Sequence, residues 1–121
     1  MATLRQQLPH GRRVVLPGRG TTFVRQVAGP VGAPTLLLIH GWGASGGLNW
    51  FQAFEPLSEF FNIVAPDLRG HGQSPTPSGP WSIDDFASDV SRLIAAEGGD
   101  AILVGLGLGA AAALTLTLGH P

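Results

Sequence analysis

The sequence predicts an α/β fold: a mostly parallel sheet with helices on both faces, opened by an antiparallel hairpin. Three short apolar runs without alternation, Thr35 to Ile39, Asn62 to Ala65 and Ala101 to Val104, suit strands buried on both faces. Each precedes a stretch with helical spacing, and strand-helix repetition is the pattern of a parallel sheet. Ahead of them lie two β-rich runs, Arg12 to Leu16 and Thr21 to Ala28, separated by Pro17, Gly18 and Gly20, which reads as a hairpin.

The elements follow in chain order. Residues 1–11 show no period and read as a loose lead-in, so the domain is expected over 12–121 as the amino-terminal half of a larger fold. Gly29 to Pro34 is a turn-rich spacer before the first buried strand. Apolar residues at Trp50, Phe54, Leu57 and Phe61 offer one helical face, interrupted by Pro56, so a kinked helix or a turn with a helix from Pro56 is expected. Asn62 to Ala65 is the second buried strand, ended by Pro66 and Asp67. The glycine- and proline-rich stretch to Trp81 is loop. Ser82-Ile-Asp-Asp85 has the form of a capping box, and Ile83, Phe86, Val90, Leu93 and Ile94 continue a helix that Gly98-Gly99 ends. After the third buried strand, helix is expected from about Leu108.

Composition limits the functions available. At 121 residues with 44% hydrophobic and 12% charged side chains, the chain can build one compact core and not two ordinary domains. Seven arginines against eight acidic residues leave a net charge of −1, so no basic field holds a nucleic acid or an anionic membrane surface. Without cysteine there is no disulfide, thiolate metal site or cysteine nucleophile. No cofactor or metal is implied. The opening MATLRQQLPHGRR holds no apolar stretch of signal-peptide length, which makes a cytoplasmic protein the expectation.

Ligands of open parallel sheets bind beyond the carboxyl ends of the strands. The segments there are His40-Gly-Trp-Gly43, Asp67-Leu-Arg-Gly-His-Gly-Gln-Ser74 and Gly105-Leu-Gly-Leu-Gly109. With these residues the chain resembles the α/β-hydrolase superfamily from about Arg12 onward. LLLIHGWG is similar to that family's third strand and oxyanion loop. NIVAPDLRGHGQS is similar to its fourth strand and following turn, and ILVGLGLG falls where the family has its fifth strand and nucleophile elbow. The resemblance implies hydrolysis of ester-type or related bonds through a nucleophile carried on a sharp strand-to-helix turn, G-x-S-x-G.

Gly107 stands at the nucleophile position, and glycine has no atom with which to attack. The family's acid and base follow the nucleophile in chain order, and His120, 13 residues past Gly107 at the far end of a helix rising about 1.5 Å per residue, lies too far from the turn to serve. What the resemblance leaves is an oxyanion hole from the backbone N–H groups of Trp42 and Leu108, with His40, Gly41 and Gly43 as candidate lining of the cleft. The expected function is therefore a hydrolase-like protein that is inactive as written, or alternatively a binding module that uses the cleft without turnover. A small hydrophobic substrate or ligand is the implied partner.

Other readings of the same residues remain. Asp67, His71 and Ser74 lie close enough in sequence to suggest a triad, although in the family's pattern this turn braces the strand end. Trp42, Trp50 and Trp81 flank the expected cleft as packing or as substrate contacts. Ser45 lies in a glycine-rich turn without a partner histidine. Gly105, Gly107 and Ala110 after a strand also match a dinucleotide-binding fingerprint, which normally follows the first strand of a sheet and needs an acidic residue about 20 positions on. Ala101 to Gly119 is uncharged and 19 residues long, so it also fits a membrane helix, against which its glycines argue. Finally, the strand Ala101 to Val104 is expected to expose an apolar edge that self-association or a partner covers.

Overall fold

The computed structural model describes residues 8–119. Five strands, β1 (Gly11–Leu16), β2 (Gly20–Val27), β3 (Thr35–Ile39), β4 (Asn62–Asp67) and β5 (Ile102–Gly105), form one sheet in the order β1-β2-β4-β3-β5. Four helices accompany them: α1 (Gly46–Trp50), α2 (Phe54–Ser58), α3 (Ile83–Ala96) and α4 (Leu108–Gly119). β3 runs parallel to both β4 and β5, while β2 pairs antiparallel with both β1 and β4. The antiparallel start thus extends one ladder beyond the hairpin.

β3 is the centre of the fold, and its sequence explains why. Successive side chains of a strand point to opposite faces. Leu37 and Ile39 join Val24, Val64, Phe86, Val90, Leu93, Ala112 and Leu116 in a core under α3 and α4. Leu36 and Leu38 join Phe54, Ile63 and Ala65 on the other face, under α1 and α2. A run of leucines without polar alternation is what two covered faces require.

Several boundaries differ from the sequence reading. β1 begins at Gly11, and residues ahead of it are pinned rather than loose: the Pro9 carbonyl accepts from Arg25 Nη1 at 2.9 Å and the His10 carbonyl from Gln26 N at 3.3 Å. Between Ser45 and Phe61 there are two short helices: the single kinked helix is not formed, and α2 begins at Phe54, two residues ahead of the expected start at Pro56. The first starts upstream of Trp50 because Ser45 Oγ accepts the Leu48 N–H at 3.1 Å, an N-cap that offsets the poor helix propensity of Gly46 and Gly47. Pro56 then falls inside α2, in its first turn, where a missing N–H costs little. β4 continues through Pro66 and Asp67 because β2 pairs with them there, after the β3 ladder has ended at Val64. Residues 1–7 of the lead-in, and His120, lie outside the described residues.

The capping box is present at α3: Asp85 Oδ2 accepts the Ser82 N–H at 2.9 Å. That amide, with Arg19, holds the Asp85 carboxyl below its ordinary value. Further along α3, Asp89 accepts from Arg69 Nε and Nη2 at 2.7 and 2.9 Å and from Arg19 Nε at 2.6 Å. One carboxylate therefore ties the hairpin turn and the loop after β4 to the helix.

Candidate active site

The carboxyl ends of β3, β4 and β5 carry the three motifs, and each is built differently. After β3 comes the loop His40 to Gly43. His40 is fully buried, with its ring in two hydrogen bonds: Nδ1–H donates to the Gly41 carbonyl at 2.7 Å, and Nε2 accepts the Leu68 N–H at 2.8 Å. Those partners require the neutral ring, and burial pushes its pKa down from 6.5. His40 is thus a joint between two loops beneath the cleft floor rather than a residue lining it. The next amide, Gly41 N–H, donates to Asn49 Oδ1 at 2.8 Å, so the loop is aimed by α1. Asn49 went unnoticed in the sequence because nothing in its neighbourhood marks a contact eight positions upstream. Trp42 is 74% exposed and stands edge-on to His71, with ring centroids 5.3 Å apart.

The turn after β4 holds the apparent triad, and the geometry separates its members. Asp67 accepts backbone N–H groups, Gly46 at 2.8 Å on Oδ1 and Gln73 at 2.9 Å on Oδ2. Ser74 Oγ donates to the Asp67 carbonyl at 2.6 Å and accepts the Phe23 N–H at 2.9 Å. His71 Nδ1–H donates to the Arg69 carbonyl at 2.9 Å. Every one of these bonds fastens backbone, which is the bracing role and not a nucleophile-base-acid chain.

The third segment is a sharp bend between β5 and α4. Gly107 has φ +57, the left-handed region that disfavours side chains. The three glycines of this bend are there for different reasons. A Cβ on Gly105 would lie 2.5 Å from Ala110 N, and one on Gly109 would collide with the Ile39 carbonyl oxygen, so both positions are closed to side chains. A Cβ on Gly107 would meet only Gly41 Cα, at 3.7 Å, which is ordinary contact. The bend therefore has room for a side chain at its apex and at neither flank. The same contact places the His40–Gly43 loop against the bend, where Leu108 opens α4 with an amide that no helical carbonyl takes up.

Of the remaining sequence candidates, Trp50 packs with the α1/α2 core and Trp81 against Phe86, so neither shares the position of Trp42. Ser45 is the cap of α1. A membrane helix over Ala101 to Gly119 is overturned, since that stretch is strand, turn and a 12-residue helix, and no helix among the described residues is long and apolar enough to cross a membrane. Among the same residues there is no group of three or more side chains suited to a metal ion.

A mixed sheet with helices on both faces and a glycine bend from β5 into α4 define a hydrolase-type scaffold. The chain belongs to the alpha/beta hydrolase family, whose model matches residues 36–120. That match takes in Gly105, Gly107 and Ala110, which removes the reason to read them as a dinucleotide fingerprint. Lipase LipV of Mycobacterium tuberculosis (strain ATCC 25618 / H37Rv) is 40% identical over 78 residues, 64% of this chain and 29% of that protein. The soluble epoxide hydrolase of Corynebacterium sp. (strain C12) is 37% identical over 67 residues, 55% of this chain and 23% of that protein. Among solved structures, E-2-(acetamidomethylene)succinate hydrolase superposes with a TM-score of 0.77 and 37% identity, covering 93% of this chain and 40% of that one. The chain thus spans less than half the length of these relatives.

Proposed function

We propose that this chain keeps the hydrolase cleft without the covalent chemistry, and that the cleft binds a small apolar molecule bearing a carbonyl or carboxylate group. The observation that carries this reading is Gly107 at the apex of the bend, where the space for a nucleophile is open and no heteroatom occupies it. A ligand oxygen there would meet the backbone amides of Trp42 and Leu108, the second at a helix N-terminus, in the manner of an oxyanion hole. The bond from Asn49 to Gly41 supports a loop aimed before any ligand arrives. The exposed indole of Trp42 supports an apolar contact at the mouth.

Among the described residues, neither serine near the carboxyl ends of the strands is free to take over the attack. Ser45 and Ser74 are committed to backbone partners, and both ring nitrogens of His40 are bonded. The test is a generic activated ester followed by intact-mass measurement: neither a burst nor an acylated protein is expected. Stoichiometric acylation of the protein would overturn the reading.

A further inference from the structure

Gly41 is the point at which the His40–Gly43 loop touches the bend. A Cβ there would lie 3.3 Å from the Leu106 carbonyl oxygen, a contact tight enough to favour glycine. Glycine in turn leaves the backbone free to rotate on both sides of its Cα. Rotation of the Gly41–Trp42 peptide would swap an N–H for a C=O at the cleft, a hydrogen-bond donor for an acceptor. Local sterics do not select between those two states.

Side chains make the selection. The Gly41 N–H donates to Asn49 Oδ1 at 2.8 Å. The Gly41 carbonyl accepts His40 Nδ1–H at 2.7 Å and the Ala44 N–H at 3.3 Å. Both peptide units that meet at Gly41 are therefore tethered. In a trans peptide the C=O and the following N–H point in opposite directions. With the Gly41 carbonyl turned to the buried imidazole, the Trp42 N–H points away from it, and no group among the described residues accepts that N–H. Asn49 is itself held: its N–H donates to the Ser45 carbonyl at 3.1 Å within α1, and Asp67 Oδ1 takes the Gly46 amide at the start of the same helix.

We propose that Asn49 is a positioning residue that sets the polarity of the cleft. By accepting the Gly41 N–H it keeps the Gly41–Trp42 peptide donor-outward, so the site takes a neutral carbonyl, which accepts, over an ammonium group, which only donates. The inference rests on the reading of the cleft as a ligand site. Asn49 touches no ligand and acts through backbone alone. Once it is removed, the peptide visits the flipped state, whose outward C=O repels the carbonyl of a ligand.

Amide-resolved NMR of the 121-residue protein, titrated with acetophenone, decides it. In the unaltered chain the Trp42 and Leu108 amide resonances are both expected to shift. Asn49→Ala is expected to weaken binding about tenfold and to silence Trp42, while Leu108, whose amide is set by α4, still responds. Asn49→Asp keeps an acceptor at the same place and should restore the Trp42 response. Unchanged affinity with Trp42 still shifting in Asn49→Ala overturns this inference alone, as does loss of both responses together in a folded variant, the mark of a merely structural role. An unaltered chain in which neither amide responds overturns the cleft reading and this inference with it. A further measurement needs neither ligand nor variant: hydrogen exchange in the unaltered chain should be slower at the Gly41 amide than at the Trp42 amide, and equal rates overturn the proposal.

Discussion

The turns after β4 and after β5 lie at the same end of the sheet, on either side of β3, and they are built on opposite principles. The first is dense with functional-looking side chains, an aspartate, a histidine and a serine, and uses all of them to hold backbone. The second offers no polar side chain between Gly105 and Gly109, and it is the one whose shape is set by close approach and by a left-handed apex. Residue type alone would assign chemistry to the wrong turn. What separates them is where each polar atom is already engaged.

That contrast can be broken or sharpened by substitution. The largest loss is expected from Gly109→Ala, whose Cβ meets the backbone of Ile39: more than about 3 kcal/mol in urea denaturation. A loss below about 1 kcal/mol would show the bend to be pliable. Next comes Asp67→Ala, which orphans the Gly46 and Gln73 amides, for about 3 kcal/mol. Ser74→Ala, leaving the Phe23 amide unpaired, is expected to cost about 1 to 2 kcal/mol with no change in ester hydrolysis, since that hydroxyl is a brace.

A pH series tests the joint between the loops. Because burial holds His40 below 6.5, the folded state binds fewer protons than the unfolded one at lower pH. Its contribution is therefore complete above 6.5 and is lost as pH falls through the folded-state value. Thermal unfolding should show a lower Tm near pH 5 than near pH 7.5, and His40→Asn should flatten that difference. The smallest change in stability belongs to Gly107→Ser: the space is there, and the positive φ costs about 1 kcal/mol. Hydrolysis of an activated ester should remain absent in this variant, because His40 is bonded at both nitrogens and His71 is tied to the Arg69 carbonyl through Nδ1.

Much of this was legible from local pattern. β3 falls on Thr35–Ile39 as its leucine run suggests, α4 opens at Leu108, and Ser82 caps α3. Where the reading missed, the cause lay far along the chain. Leu8 to His10 look featureless, yet two of their carbonyls are taken by β2, which no window around them contains. α1 starts among glycines because Asp67, 21 residues away, accepts the Gly46 amide in addition to the Ser45 cap. β4 outlasts its apolar run because β2 supplies a partner for Asp67. At the site, Gly105, Gly107 and Gly109 are identical letters, and only the neighbours of a virtual Cβ tell the two obligatory ones from the optional one.

The open apex has a genetic reading. A glycine codon ending in a pyrimidine is a single base change from codons for serine, aspartate and cysteine. With such a codon, drift could place a hydroxyl, a carboxylate or a thiol at residue 107 without remodelling the bend, whereas a side chain at 105 or 109 would meet backbone.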